Sequence, residues 1–284
     1  MSQVVAISDL HADIRENREW LHTLCDGDHR DEILLLAGDV ASDPECVAQV
    51  LEALVDAFEF VFFVPGNHDL WVSSEESANS VQRLEVLRAL CERLGVLTEP
   101  TVVQDHEGRN AAVIVPLLSW YAEPEESPDS LFLPKQGEDG SLSMWADRQR
   151  IRWPDYVTHP ARFFLEQNEP LLITSQALPT ISFSHFLPRR ELIFSSTTEK
   201  ARFGRQGGDR APRFNFSRVA GTAGLERQIR RLNSLVHVHG HQHRNRDRVI
   251  DGVRYVSHCL GYPQERRDAG VNTAEVYPAE VFRF

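Results

Sequence analysis

The sequence predicts an α/β fold, and three observations predict it. Strand-like and helical stretches alternate over the first third of the chain, the strand runs are continuously apolar, and each run stops at a polar cluster. Continuous apolar runs belong to strands covered on both faces, so neighbouring parallel strands with helices between them are expected.

Val4 to Ser8 is a short apolar run that stops at Asp9-Leu10-His11. From Ile14 to Cys25 the apolar positions Ile14, Trp20, Leu21 and Leu24 fit one helix face. Glu32 to Ala37, with Ile33-Leu34-Leu35-Leu36 at its heart, reads as a doubly buried strand and ends at Gly38-Asp39. Cys46 to Phe58 is helical, and Phe60 to Val64 is a third strand, closed by Pro65-Gly66 and followed by Asn67-His68-Asp69. Ser77 to Leu94 is a long amphipathic helix stopped by Gly95.

The pattern then changes. Thr101 to Gln104 and Ala111 to Leu118 read as paired strands around the turn Gly108-Arg109-Asn110. Ser119 to Pro170 shows little periodicity and carries Trp120, Tyr121, Trp145 and Trp153 among acidic residues and prolines, read as an ordered functional loop or as a surface excursion covering a core edge. Leu171 to Thr174 and Thr180 to Ser184 resume the strand pattern and lead into His185. Ser195 to Phe216 is the one basic stretch, with Lys200, Arg202, Arg205, Arg210 and Arg213, read either as a solvated loop or as a clamp for phosphate. Gly224 to Leu235 is a short helix, Val236 to His239 a strand stopping at Gly240-His241-Gln242-His243, and Val249 to Ser257 a hairpin turned by Asp251-Gly252. Ala274 to Phe284 supplies closing strands.

At 284 residues, 42% hydrophobic and 9% aromatic, the chain can bury a sizeable core. A formal net charge of -12 disfavours long nucleic acids and anionic membranes, while small anionic substrates remain open because bound cations reverse the field locally. Cys25, Cys46, Cys91 and Cys259 have no close pairing or zinc-type spacing and are expected as buried free thiols. No apolar stretch approaches the roughly 18 to 20 residues needed to span a bilayer, so a cytoplasmic protein is expected.

Five strand ends thus present Asp9 and His11, Asp39, Asn67 and His68, His185, and His241 with His243. On an extended chain residues i and i+2 share a side, so Asp9 with His11, and His241 with His243, are each expected to point a pair toward one site. Carboxylates, imidazoles and an amide without thiols suit Mn, Fe, Zn or Ni. These donors exceed what one ion needs, and a carboxylate has two oxygens with which to bridge two ions. His22, His29, His106, His159, His237 and His258 have no such partners and are expected in surface or core roles, with His237 and His239 as candidate donors behind the ligands.

In that order, Asp9-Leu10-His11, Gly38-Asp39, Gly66-Asn67-His68-Asp69, His185 and Gly240-His241-Gln242-His243, the chain resembles the calcineurin-like metallophosphoesterase superfamily. The stretches Phe183 to Arg190 and Gly261 to Arg267 look like a poorly characterised branch of it. The resemblance implies two packed mixed β-sheets flanked by helices, a four-layer α/β/β/α sandwich. The whole chain, 1–284, would form one such domain, with an irregular insertion at about 119–170 and a basic loop at about 195–218. It also implies that Asp9, His11 and His243 hold one metal ion, Asn67, His185 and His241 a second, and that Asp39 bridges them. His68, with Asp69 beside it, would be left to protonate the leaving oxygen.

The function expected is a phosphomonoester or phosphodiester hydrolase in which a hydroxide shared by the two ions attacks phosphorus. A small phosphorylated substrate, nucleotide-like ones included, is the expected partner. Arg189, Arg190 and Arg244 follow ligands closely enough to reach phosphate oxygens, and Trp120 with Tyr121 would stack on a ring. The competing readings are a nucleotide pyrophosphatase or nuclease, and a catalytically silent scaffold of the same fold.

Overall fold

The computed structural model describes residues 3–73, 78–172, 177–203 and 211–284. The expected alternation opens it: β1 (Gln3–Ile7), α1 (Arg15–Cys25), β2 (His29–Ala37), α2 (Pro44–Ala57), β3 (Phe58–Val64) and α3 (Ser80–Leu94). Local chemistry sets the helix bounds. Asp43 caps α2 by accepting from Glu45 N at 3.2 Å, with Pro44 as its first residue. Asn79 and Gln82 form a capping box at the start of α3, and Gly95, at φ 76°, closes it in the left-handed conformation.

β1, β2 and β3 pair in parallel, and β10 (Ala279–Arg283) adds an antiparallel edge next to β1. The second sheet runs β4 (Thr101–Gln104), β5 (Asn110–Pro116), β6 (Thr180–Phe183), β7 (Val236–His239), β9 (Val253–Ser257), β8 (Arg246–Ile250). β5, β6, β7 and β9 are parallel, with antiparallel β4 and β8 at the edges. Both sheets are therefore mixed.

The layer order follows from side-chain alternation. Val4 and Ala6 of β1 join Ile33, Leu35 and Phe62 in a core shared with Ile114, Ile181, Phe183 and Val238 of the second sheet. Val5 and Ile7 point the other way, into a core closed by α1, α2 and α3. Beyond the second sheet, Val113, Val115 and Tyr255 pack with Leu225 and Ile229 of α7 (Ala223–Arg231). This is a helix, sheet, sheet, helix sandwich.

The structure departs from the sequence expectations in four places. The stretch from 119 to 170 contains α4 (Asp147–Arg150) and α5 (Pro160–Asn168). α5 buries only Ala161, Phe164 and Asn168, too few positions to announce a helical period. Leu171 closes a 3₁₀ turn after Pro170 instead of opening a strand, and Ile173 and Thr174 of that expected strand lie outside the described residues. The basic stretch begins with α6 (Thr197–Phe203), while Arg205 and Arg210 are outside the described residues, as is Ser77, where α3 was expected to begin. The C-terminal segment supplies one strand, preceded by a 3₁₀ turn at Thr273–Glu275.

All four cysteines are free thiols. Among the described residues no helix is long and apolar enough to cross a membrane.

Candidate active site

The carboxyl ends of β1, β2, β3, β6 and β7 gather at one edge of the sandwich, where open sheets place their ligands. The backbone there is not extended. Asp9 (φ 54°), His11 (43°), Asp39 (57°), His241 (72°) and His243 (52°) are all left-handed, a conformation that costs non-glycine residues about 1–3 kcal/mol each. The i, i+2 logic of a pleated strand therefore does not bring Asp9 and His11 together; a strained turn does. That turn is tied down by Asp9 N donating to Gly38 O at 2.9 Å and His11 N to Asp39 O at 3.0 Å.

Close approach of the loops requires glycine. At Gly38, φ 83°, a Cβ would sit 2.5 Å from His185 Nδ1, and at Gly66 a Cβ would collide with the Asp39 carboxylate.

Two donor groups result, sharing Asp39. In the first, ligand atoms of Asp9, His11, Asp39 and His243 all lie within 4.8 Å of one another. His11 Nε2 is 2.9 Å from His243 Nε2, which is 3.2 Å from Asp9 Oδ1. In the second, His185 Nε2 is 3.2 Å from Asn67 Oδ1 and 3.5 Å from Asp39 Oδ2. His241 packs edge-on against His185, ring centroids 5.1 Å apart. His241 and His243, expected to point as a pair, diverge into the two groups.

The hydrogen bonds behind these rings show which nitrogen each offers. His243 Nδ1 donates to Glu265 Oε2 at 2.7 Å, His185 Nδ1 to Ala37 O at 2.8 Å, and His241 Nε2 to Val219 O at 2.9 Å. With one N–H so committed, a neutral imidazole turns its remaining lone pair toward the carboxylates. His11 Nε2 and His243 Nε2, 2.9 Å apart, need a proton or a cation between them. Burial alone would depress His243 and His185, yet Asp9 with Glu265 holds His243 well above the ordinary imidazole value, and Asp39 with Asp9 lifts His185 to about 9. Burial would likewise raise the Asp39 carboxyl, but His185 and His68 hold it well below the usual range. Oxygen and imidazole donors without thiolates are suited to divalent metal ions.

His68 stands beside both groups. Its ring stacks on Trp71 (centroids 3.7 Å) and meets His11 edge-on at 4.6 Å, with Nε2 3.9 Å from Asp39 Oδ2. Asp69, expected to assist it, is placed otherwise. Its carboxylate accepts from Gly66 N (2.7 Å), Asp39 N (2.8 Å), Val40 N (2.9 Å) and Ala41 N (3.2 Å), and so pins the loops after β2 and β3 together. It is a fastening for Asp39, with no contact to His68 shown.

Of the residues expected on substrate, Trp120 is 2% exposed in an aromatic cluster with Tyr121, Trp153, Phe164 and Phe186, a core position. Arg189 is bound by Glu191, Glu226 and Asp251, and Arg190 donates to Ser130 O at 2.6 Å, so other partners claim both guanidiniums. Arg244 is half-buried and lines a cleft of about 170 Å³ with His243, Cys259 and Glu265. Arg189→Ala is expected to leave KM within about two-fold of wild type while lowering stability by about 1–3 kcal/mol, read by steady-state kinetics and denaturant unfolding. A KM rise of ten-fold or more would return Arg189 to the site.

In the basic stretch, Arg202 pairs with Asp247 at 2.5 Å and Arg213 with Asp139 at 3.8 Å, which supports a surface role over a phosphate clamp. His237, buried, is hydrogen-bonded by Ser182 and Ser184, neither of them an expected ligand, so it serves the core and not the metal site.

Sequence reasoning missed several participants. Glu265 carries no signal beyond its place after Gly261-Tyr262, and Tyr262 stacks on His11 at 4.5 Å. Asp147, 3% exposed in the supposedly irregular insertion, accepts from Asn67 Nδ2 at 2.9 Å, Trp71 Nε1 at 2.7 Å and Trp145 Nε1 at 2.9 Å. Burial pushes its carboxyl up to about 6 against those three donors.

Comparison with known proteins identifies the family. A curated relative, the acyl-carrier-protein phosphodiesterase PptH of Mycobacterium tuberculosis, is 28% identical over 278 residues, covering 92% of this chain and 78% of its own. The crystal structure of the phosphopantetheinyl hydrolase PptH from the same organism superposes with a TM-score of 0.74 at 24% identity, covering 99% of this chain and 95% of that one, which shows a shared fold. The family profile described as calcineurin-like phosphoesterase matches residues 2–245, and the chain belongs to that family, as a metal-dependent phosphoester hydrolase.

Proposed function

We propose that the chain hydrolyses a phosphodiester at a two-ion centre, with a phosphopantetheinylated acyl carrier protein as substrate. The observation that carries the two-ion part is the position of Asp39, whose carboxylate belongs at once to the group of Asp9, His11 and His243 and to that of Asn67 and His185. Asp9, His11 and His243 would hold one ion, Asn67, His185 and His241 the other, with Asp39 between them. Bound there, such ions acidify water to a pKa near about 7 and neutralise charge on phosphoryl oxygens.

The protein's own chemistry centres on His68. It is half-buried beside Asp39, stacked on the Trp71 ring and not needed by either donor group, so it is placed to serve the departing oxygen as proton donor. Burial depresses its pKa, and Asp39 opposes that shift only in part. An alkoxide leaving group, such as a serine side chain, cannot depart without that proton.

A diester substrate is supported by two features. The PptH relative is an acyl-carrier-protein phosphodiesterase. The arginines Arg189 and Arg190, which would grip the extra charge of a monoester, are engaged elsewhere. The intact donor set argues against a silent scaffold.

The test is metal removal and substrate comparison. Chelated protein is expected to lose activity and to regain it with Mn, Zn or Ni. Restored protein is expected to remove the phosphopantetheinyl group from a holo carrier protein, read by mass spectrometry, and to prefer bis-p-nitrophenyl phosphate over the monoester. Faster turnover of nucleoside pyrophosphates than of holo carrier protein would overturn the substrate assignment, and no activity with any metal would restore the scaffold reading.

A further inference from the structure

We infer that Asp147 is the positioning residue of the second ion site, the carboxylate that keeps the Asn67 amide turned with its oxygen toward the ions. The inference rests on the two-ion reading above and assigns a role to the insertion between β5 and β6 that the ligand pattern does not contain.

An amide has two unlike ends of nearly equal size, and only its oxygen can serve a cation. Asn67 Oδ1 lies 3.2 Å from His185 Nε2, on the ion side, while Nδ2 lies 2.9 Å from Asp147 Oδ1. An ionised carboxylate accepts and cannot donate, so it tolerates only the NH₂ end of the amide opposite it. Reversal of the amide would set NH₂ against the cation and oxygen against oxygen.

Asp147 cannot drift to accommodate reversal. It is 3% exposed and is held from two further directions by indole N–H groups, Trp71 on Oδ1 at 2.7 Å and Trp145 on Oδ2 at 2.9 Å. Those indoles are themselves in the site. Trp71 stacks under His68 at 3.7 Å, and Trp145 meets His241 edge-on at 5.8 Å. A single carboxylate thus sets the orientation of one donor and of the two aromatic walls that contact His68 and His241. It has no bond to Asp9, His11 or His243 among those found, so its removal should discriminate between the two ions.

Full-length wild type, Asp147→Ala and Asp147→Asn would be loaded with manganese, and ion stoichiometry, affinity and the electron paramagnetic resonance spectrum measured. Wild type is expected to take two ions and give the spectrum of an exchange-coupled pair. Asp147→Ala is expected to fill the first site normally, bind the second ion 10- to 100-fold more weakly and show isolated manganese at limiting metal. Asp147→Asn keeps the volume, loses the charge and presents an NH₂ group to one of its N–H neighbours. It should shift the second affinity in the same direction, and it decides the matter if the alanine variant does not fold. Two ions bound at unchanged affinity in the folded variants, with the coupled spectrum retained and only the melting temperature lowered, would overturn the inference alone. A wild type that never binds a second ion overturns it together with the two-ion reading.

Discussion

Asp39→Ala is expected to leave the chain with at most one tightly held ion and to lower kcat/KM by about 10³-fold or more. The Asp39 carboxylate is 3.5 Å from His185 Nε2, within 4.8 Å of the ligand atoms of Asp9, His11 and His243, and accepts from His68 N at 2.9 Å. The Asp9 carboxylate, by contrast, meets the second group through the His241 backbone N, at 3.1 and 3.2 Å. The neighbouring candidate, Asp69, is spent on four backbone N–H groups and cannot turn toward the site without freeing them. Removing Asp39 also leaves His185, whose pKa this carboxylate raises, without its main counter-charge. Elemental analysis showing two ions per folded chain in the variant would refute the bridging role.

His68→Ala is expected to behave in the opposite way with respect to metal. Both ions should remain, because the ring nitrogen lies 3.9 Å from Asp39 and no expected ligand depends on it for its hydrogen bond. The rate for a substrate with an alkoxide leaving group should fall by about 10² to 10⁴, the usual worth of a positioned general acid. For p-nitrophenyl esters, whose leaving group departs without protonation, the loss should be much smaller. That contrast separates a proton donor from a residue that merely props up the site. An equal loss on both substrates, or a loss of metal, would remove His68 from the role of acid.

How much of the site was legible differs from residue to residue for a physical reason. The ligands sit just after strands whose apolar runs are visible in the sequence, so Asp9, Asp39, Asn67, His185 and His241 could be located from the ends of those runs. The parallel sheet order then places all of those ends at one edge. The direction of each side chain was another matter. Extended geometry was the natural assumption for Asp9-x-His11 and His241-x-His243, but all four residues have positive φ, a local strain that only the surrounding hydrogen bonds sustain.

The supporting residues were beyond reach for a related reason. Asn67 meets Asp147 80 positions away, and His243 meets Glu265 22 positions away, across elements whose docking no local pattern records. Trp120 and Arg189 show the converse, since both residue types suit a substrate contact but core rings claim the first and carboxylates the second.

The sequence by itself determined the first, alternating half of the fold and the set of acid, imidazole and amide groups at strand ends, because both depend on apolar periodicity and on residue types, while the sandwich of mixed sheets followed from the family resemblance those ordered groups carry. Only the tertiary structure decided which of those groups lie together around Asp39, which ring nitrogens are committed to hydrogen bonds behind them, and which buried carboxylate accepts from Asn67. These depend on hydrogen bonds between distant segments, whose partners are chosen by packing and not by neighbours along the chain.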